Sequence, residues 1–576
     1  MSSMTNQELA QTFNLIADLL QIKGEVVYKV LAYRKAAENL IDLGHDVTKV
    51  WEQGKLESIP GVGKAIAEKI DELMRTGELA FLEKLAKEVP KSLAGLMEVP
   101  DLGPKKIKLF FDELGIKTLD DLKAAAEAGK LQQLAGMGAK SEAKILTGLE
   151  SLARRSGRTP LGKAWPLAQE QLELLRAAPG VVKAEAAGSL RRMRDTVGDI
   201  DVLASAEDSD GVMAVFTGQE GVARVLGSGE TKASVEFHNG MRAQLWVHPP
   251  ERFGTALQYA SGSKGHNVRL RELALSIGLS LSEHALKKED GEEITCAEEE
   301  EVYAALGLPW IPPELREDRG EVQAALEGKL PELITLNDIR MELHTHSTWS
   351  DGKASILEMA EAARERGYLA LSITDHSQSL GIANGLSVER LEEQKQEIAA
   401  ARKELGNSFT LLHGTEMEIR ADGTLDYSDE VLAELDIVIA SVHVSMRQPR
   451  QQVTERMLNA IRNPHVDIIA HPTNRLIPDR EGADLDMDAI LEAAAEHDTV
   501  LEINANPRRL DLNDVYARRA VEMGIKLAIN TDAHAPGQMA FMEYGVATAR
   551  RGWVTAEQVI NCWQVKDLVV WLQGRG

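Results

Sequence analysis

From residue 340 onward, apolar strand-like runs end repeatedly in residues that bind metals. MELHTH delivers His344 and His346, with Asp351 just beyond. LALSITDH ends at Asp375 and His376, and FTLLHGTEMEI carries Glu416. IVIASVH ends at His443, VDIIAHP at His471, and KLAINTDAH at Asp532 and His534. A seventh run, TVLEINAN, has no histidine. Strands alternating with helices predict a β/α barrel, whose site lies at the C-terminal ends of its strands. Mixed imidazole and carboxylate donors suit zinc, manganese or iron better than calcium or magnesium alone. Clustered cations would polarise a phosphate, lower the pKa of a bridging water and stabilise the leaving oxygen. Asn506 and Arg509, after the ligand-free strand, are candidates either for holding substrate phosphate or for an ordinary surface role. His45, His238, His248, His284, His413, His465 and His497 lack the pattern and read as ordinary histidines; His266 is left undecided.

A second constellation is GSLRRMRDTVGDIDVL at 188–203. Gly188 and Ser189 offer bare backbone and a hydroxyl to a phosphate, and Arg192 a positive charge. Asp199 and Asp201 are two apart, so on a strand they share a face. They would repel unless divalent cations lay between them. In IPGVGKA, VPDLGPK and LAGMGAK, glycine permits positive φ and lets backbone N–H groups converge on a phosphate. Each turn has a lysine nearby (Lys64, Lys105, Lys140).

These residues need elements to position them. A chain of 576 residues is too long for one core and predicts three or four domains. Helical spacing runs through residues 1–155, as in Leu15, Leu19 and Ile22 or Ile66, Ile70 and Leu73. The basic stretch RRSGRTPLGK (154–163) reads as a linker. Strand-like runs fill 181–250, a helix follows at 266–278, and 311–339 reads as a connector. The net charge of −25 argues against a global field for nucleic acid. Residues 1–160, however, balance 23 Lys+Arg against 23 Asp+Glu, so DNA would be held by local cradles. No apolar run of about 18 residues appears, the N-terminus MSSMTNQELAQTF lacks a signal pattern, and two distant cysteines suggest no disulfide framework. A cytoplasmic location and no membrane association are expected.

The 188–203 stretch resembles the signature of X-family DNA polymerases, within the nucleotidyltransferase superfamily. YASGSKGHNVRLR (259–271) is similar to that family's Tyr-Phe-x-Gly-Ser segment, with Ala260 in place of the phenylalanine. LAYRKAAENL and IPGVGKAIAEKIDEL resemble its DNA-end-binding domain, and the glycine turns resemble helix-hairpin-helix motifs. The resemblance implies nucleotide contacts from Gly188, Ser189, Arg192, Gly198, Tyr259, Gly262, Asn267 and Arg271. It implies DNA contacts from Gly61, Gly63, Lys64, Lys69, Gly103 and Lys105. Lys69 falls on the family's Schiff-base lysine, which implies a possible sugar-phosphate lyase role; the bland alternative is a phosphate contact. Asp199 and Asp201 would hold Mg²⁺ or Mn²⁺, and the third carboxylate aligns with Gln244. An amide carries no charge and is no base at neutral pH. With His238–Met241 read as a two-residue hairpin turn, position 244 pairs with Val235 and Glu236 points away. Nucleotide and one metal should still bind, and extension should be slow or absent.

Residues 336–576 resemble the polymerase and histidinol phosphatase (PHP) domain, a seven-stranded β/α barrel with three metals. That likeness implies His344, His346, Glu416 and Asp532 around one metal. Glu416 would bridge to a second with His443 and His471, and Asp351, His376 and His534 would hold a third. The metals would be Mn²⁺, Zn²⁺ or Fe, with Glu416 and Asp532 central to catalysis.

The expected fold is thus multidomain, α+β and α/β. Helical DNA-end-binding (1–90) and fingers-like (91–158) domains precede a nucleotidyltransferase palm (159–250), a thumb (251–311), a linker (312–337) and the barrel (338–576). The expected function is DNA repair by a monomer on gapped or 3′-ended DNA. It combines 3′–5′ exonuclease or phosphoesterase action with weak deoxynucleotide polymerisation. The rival readings are a phosphatase of small phosphate esters with an idle polymerase half, and a non-catalytic DNA-binding scaffold.

Overall fold

Apolar residues at helical spacing build the first part of the chain. The computed structural model describes residues 4–43, 45–99, 102–134, 136–154 and 158–574, in two compact units that divide between residues 157 and 158. Residues 1–3 of the N-terminal stretch, Pro100 and Asp101 of the second glycine turn, Ala135 of the third and residues 155–157 of the basic linker lie outside them.

In the first unit, helices Asn6–Lys23, Val27–Ile41, Lys64–Thr76 and Pro104–Leu114 close around Phe13, Ile16, Leu20, Ile70 and Phe110. A capping box between Thr5 and Glu8 starts the first helix. The three glycine turns share one hydrogen bond: Val62 N–H to Ile59, Leu102 N–H to Val99 and Met137 N–H to Leu134. Gly61 sits at φ +75, and a Cβ there would lie 2.9 Å from Asn39 Nδ2. Gly63 and Gly103 cap the helices that follow without any side-chain hydrogen bond. Those first-turn N–H groups are the ones a phosphate satisfies.

In the second unit, five strands form the palm sheet: β1 (Val181–Ala186), β2 (Ile200–Ala206), β3 (Val222–Ser228), β4 (Lys232–Phe237) and β5 (Arg242–His248), in the order β1-β2-β5-β4-β3. One face packs Ile200, Val202, Val235, Ala243 and Leu245 against helix Leu161–Arg176. Helices Phe253–Ser261 and Lys264–Ser276 and a small three-stranded sheet follow. The stretch expected to be a connector is built into the fold. Arg316 and Glu321 are fully buried, and Glu317 receives Arg192, Arg194 and Arg551. His266 is buried between Glu321 and Tyr303, which makes it part of this hydrogen-bonded interior.

The barrel has seven parallel strands in sequential order: β6 (Met341–Thr345), β7 (Ala370–Ile373), β8 (Thr410–Glu418), β9 (Ile437–Ser441), β10 (Ile468–Ile469), β11 (Val500–Asn504) and β12 (Leu527–Asn530). A bridge from Thr345 to Ala533 brings the last strand beside the first, nearly closing the ring. Strands covered on both faces explain the unbroken apolar runs in the sequence. Among the described residues, no helix is long and apolar enough to cross a membrane.

Candidate metal centre and palm site

Parallel strands with a common direction place their last residues at one rim. His344 leaves β6 fully buried, Glu416 lies within β8, and His376, His443, His471, Asp532 and His534 follow β7, β9, β10 and β12. His471 (φ +27) and Asp532 (φ +54) hold left-handed backbone, an uncommon conformation that recurs where function fixes a side chain.

The ligand atoms of His344, His346, Glu416 and Asp532 all lie within 4.8 Å of one another. So do those of His346, Asp351, His376 and His534, and those of His376, Glu416 and His443. His471 Nε2 is 2.9 Å from Glu416 Oε1. The structure therefore gathers nine of the barrel residues singled out from the sequence, while the tenth, Asp375, instead accepts from Ser347, Ser350 and Gln394. His376 faces Glu416 (2.9 Å) as well as Asp351 (3.7 Å).

The donors fit metal ions. His344 Nε2 and Glu416 Oε2 are buried without a hydrogen-bond partner, 3.4 Å apart, a costly arrangement unless a cation lies between them. The charge balance agrees. Burial opposes ionisation of Glu416, yet His376, His443 and His344 hold its carboxyl well below the usual range. Burial, with His534 and His376 beside it, pushes His346 down to about 3. His534 rises to about 9 against its burial, through Asp351 and Asp532.

A supporting layer escaped the sequence reading. Glu502, on the strand without histidine, accepts from His344 Nδ1 (2.8 Å) and from the His471 N–H (2.7 Å). Glu418 lies 2.9 Å from His443 Nδ1. Such partners fix which imidazole nitrogen faces a metal. Glu418 stands two residues beyond Glu416 on one strand, a same-face spacing that is the only sequence signal for it.

Asn506 spends its carboxamide oxygen on the Arg508 N–H, as a turn former does. Arg509 reaches the metal centre: its Nε lies 3.3 Å from Asp532 Oδ2, and Nη1 donates to Asn474 Oδ1. Arg480 donates to the same oxygen (2.9 Å), so Asn474 joins two arginines at the rim.

In the palm, Asp201 opposes Gln244 across β2 and β5, and Gln244 Nε2 donates to Asp199 Oδ2 at 3.3 Å. Burial and the Asp199 charge push Asp201 up to about 6. A Cβ on Gly188 would lie 2.3 Å from Asp201 Oδ2, so only glycine leaves that carboxylate its place. Gly188 and Ser189 open the short helix Gly188–Arg191, and Gly198 precedes the aspartates. Arg192 is held by Glu317 (3.0 Å) and the Ser261 carbonyl (2.9 Å). Asn267 donates to the Tyr259 carbonyl (2.7 Å) and accepts from Gln258, Arg271 lies over the Tyr259 ring, and Gly262 leaves room for the Asn267 carboxamide. In the first unit, Lys69 Nζ bonds the Ala65 carbonyl, over the Phe81 ring.

One expectation on the palm is corrected. The hairpin has a three-residue loop, His238–Gly240, closed by Phe237 and Met241 with Gly240 at φ +81. Gln244 therefore pairs with Ser234, not Val235. The one-residue shift turns Glu236 onto the face of the aspartates. There it is almost wholly buried and paired with Arg224 (3.2 Å) and Arg242 (3.5 Å).

One compact unit thus holds a five-stranded sheet bearing two neighbouring aspartates and a parallel barrel whose rim gathers imidazoles and carboxylates. Family models match a helix-hairpin-helix domain (4–79), a SAM-like helix-hairpin-helix tandem (54–108 and 93–151), a DNA polymerase beta thumb (256–317) and a PHP domain (342–506). The DNA polymerase/3′-5′ exonuclease PolX of Bacillus subtilis is 42% identical over 573 residues, 99% of this chain and 100% of that one. A probable phosphatase of Thermoanaerobacter sp. is 31% identical over 38% of this chain and 89% of its own. DNA polymerase lambda of Rattus norvegicus is 27% identical over 54% of this chain and 56% of its own. The chain belongs to the bacterial PolX family, X-family DNA polymerases that carry a PHP domain.

Proposed function

We propose that the barrel is a metal-dependent 3′–5′ exonuclease or related phosphoesterase acting in DNA repair. The front of the chain would hold gapped or 3′-ended DNA through Gly61, Gly63, Lys64, Lys69, Gly103 and Lys105. The observation that carries this reading is the ring of nine donors with orphaned His344 Nε2 and Glu416 Oε2 at its centre.

His344, His346, Glu416 and Asp532 would hold one divalent ion. Glu416, His443 and His471 would hold a second, with His376 near both Glu416 and Asp351, and Asp351, His376 and His534 a third. Bound Mn²⁺, Zn²⁺ or Fe would activate water and polarise the phosphodiester. The chain's own residues do the rest. Glu502 and Glu418 keep His344 and His443 turned inward, Arg509 binds a phosphate oxygen beside Asp532, and the low basicity of His346 leaves its imidazole neutral for coordination.

The palm would bind deoxynucleoside triphosphate through Gly188, Ser189, Arg192, Gly198, Tyr259, Gly262, Asn267 and Arg271, and Mg²⁺ or Mn²⁺ through Asp199 and Asp201. Polymerisation would be weak, because Gln244 supplies no charge and Glu236 is committed to two arginines.

The test compares Mn²⁺-dependent hydrolysis of 3′-ended DNA and of histidinol phosphate by the full chain and by Asp532→Ala. Degradation of DNA from its 3′ end, abolished in the variant, supports the nuclease. Turnover of the small ester alone would favour a phosphatase, the reading suggested by the Thermoanaerobacter relative, and unchanged hydrolysis in the variant would exclude the barrel as the catalyst.

A further inference from the structure

Arg509 reaches the candidate metal centre from a loop closed at its base by a bridge between Asn504 and Asp511. The chain leaves β11 at Asn504 and turns through Asn506–Leu510, with Leu510 at φ +46, a left-handed conformation that a leucine rarely adopts. Surrounding structure must impose such a shape.

The palm provides that surrounding structure. Leu510 is buried in the palm core, in one cluster with Leu161, Ala164 and Leu190, together with Ile477 and Tyr544 of the barrel. Pro507 presses on Gly162, where a Cβ would lie 2.5 Å from the proline ring, so the palm helix carries glycine at the point of closest approach. Between these contacts runs Arg475. Its Nε donates to the Arg509 carbonyl (2.7 Å) and its Nη2 to the Leu510 carbonyl (2.6 Å). Its Nη1 pairs at 3.2 Å with Asp195, four residues before Asp199 in the palm's aspartate loop. The Asp195 carbonyl in turn accepts from the Leu161 N–H (2.8 Å) at the start of the helix that bears Gly162.

We infer that the palm is part of the nuclease site, with Asp195 acting through Arg475 as a positioning residue for the phosphate-binding Arg509. Each donor of the Arg475 fork has its own acceptor, two on the Arg509 loop and one on the palm. A planar guanidinium ties the three rigidly where a lysine ammonium would not. The polymerase half therefore contributes to hydrolysis even where its own chemistry is weak. The inference rests on the nuclease reading and on Arg509 meeting a substrate phosphate.

Three variants test it in the full chain: Asp195→Ala, Gly162→Ala and Arg509→Ala. The Asp195 side chain is 39% exposed and makes its pair with Arg475 at the edge of the palm, so its truncation is expected to leave the fold intact. Asp195→Ala is expected to raise KM for 3′-ended DNA about three- to tenfold, the range for one lost positioning contact, with kcat held within about twofold. Asp195→Glu should restore KM, and Asp195→Ala on the Arg509→Ala background should add nothing further. Gly162→Ala should shift KM in the same direction. A readout independent of turnover is the thermal stabilisation of EDTA-treated protein by inorganic phosphate. It should fall in Arg509→Ala and, by a smaller amount, in Asp195→Ala, with no further fall when the two are combined. If the parent enzyme degrades DNA but Asp195→Ala leaves KM unchanged, or if its effect adds fully to that of Arg509→Ala, the inference is overturned. If the parent enzyme does not hydrolyse DNA, the nuclease reading itself has failed.

Discussion

Replacing Gln244 by aspartate should create what the palm lacks. The new carboxylate would stand opposite Asp201 and beside Asp199, where Gln244 now donates at 3.3 Å. Without cations it is a burden. Two charges about 5 Å apart across neighbouring strands repel by about 3 kcal/mol at an effective dielectric near 20. Asp201 is already at about 6 through burial and Asp199, and a third negative charge pushes it higher. A divalent cation reverses the sign, because the same proximity then favours it. Apo Gln244→Asp should melt below the parent protein at pH 8, and Mn²⁺ or Mg²⁺ should raise its melting temperature more than the parent's. Primer extension on a one-nucleotide gap should rise by about 10²–10⁴-fold, the usual worth of a positioned general base. Equal extension by the two proteins together with equal metal-induced shifts would refute the argument. A gain in metal binding without a gain in extension would show that something other than the third carboxylate limits the palm.

Two further predictions concern titration. His534 sits at about 9 in the absence of metal, so it is protonated at neutral pH and must lose that proton to coordinate. Adding Mn²⁺ to metal-free protein in weak buffer at pH 7.5 should release protons, His534→Ala should release about one fewer, and metal affinity should fall with decreasing pH. Glu299 receives Arg191 and Arg316 and, despite burial, is held at about 2. Because the folded value lies below the unfolded one, its contribution is fully present above about pH 4.5 and lost as pH falls toward 2. Glu299→Gln leaves two arginines uncompensated and should cost about 3–5 kcal/mol in denaturant unfolding at pH 7, with a smaller loss on acidification than the parent shows.

The metal centre was largely legible in the sequence because strand period and ligand type coincide. An imidazole or carboxylate at the end of an apolar run is brought to one rim of a parallel barrel, and nine of the ten converge there, Asp375 alone turning to Ser347, Ser350 and Gln394. Glu502 was not legible, since nothing in TVLEINAN distinguishes a buried partner of His344 from a half-exposed strand glutamate. The palm shows the sharper limit. Asn239–Gly240 signalled a turn, but not whether two or three residues form it, and that single residue decides which face Glu236 occupies. The segment 312–337 misled by composition: its prolines and charges read as a solvated link, yet Arg316, Glu317 and Glu321 are buried because each charge has a partner far away in sequence.

His346, just past the first strand of the barrel, and Asp532, just past the last, stand 186 residues apart in the chain and meet in one ligand cluster. A ribosome must deliver β12 before β6, already paired with β7, gains its second neighbour. Until then the cluster of His344, His346, Glu416 and Asp532 lacks its aspartate, and loop-closure entropy opposes its completion. That four-residue cluster is complete only once the last strand takes its place beside the first.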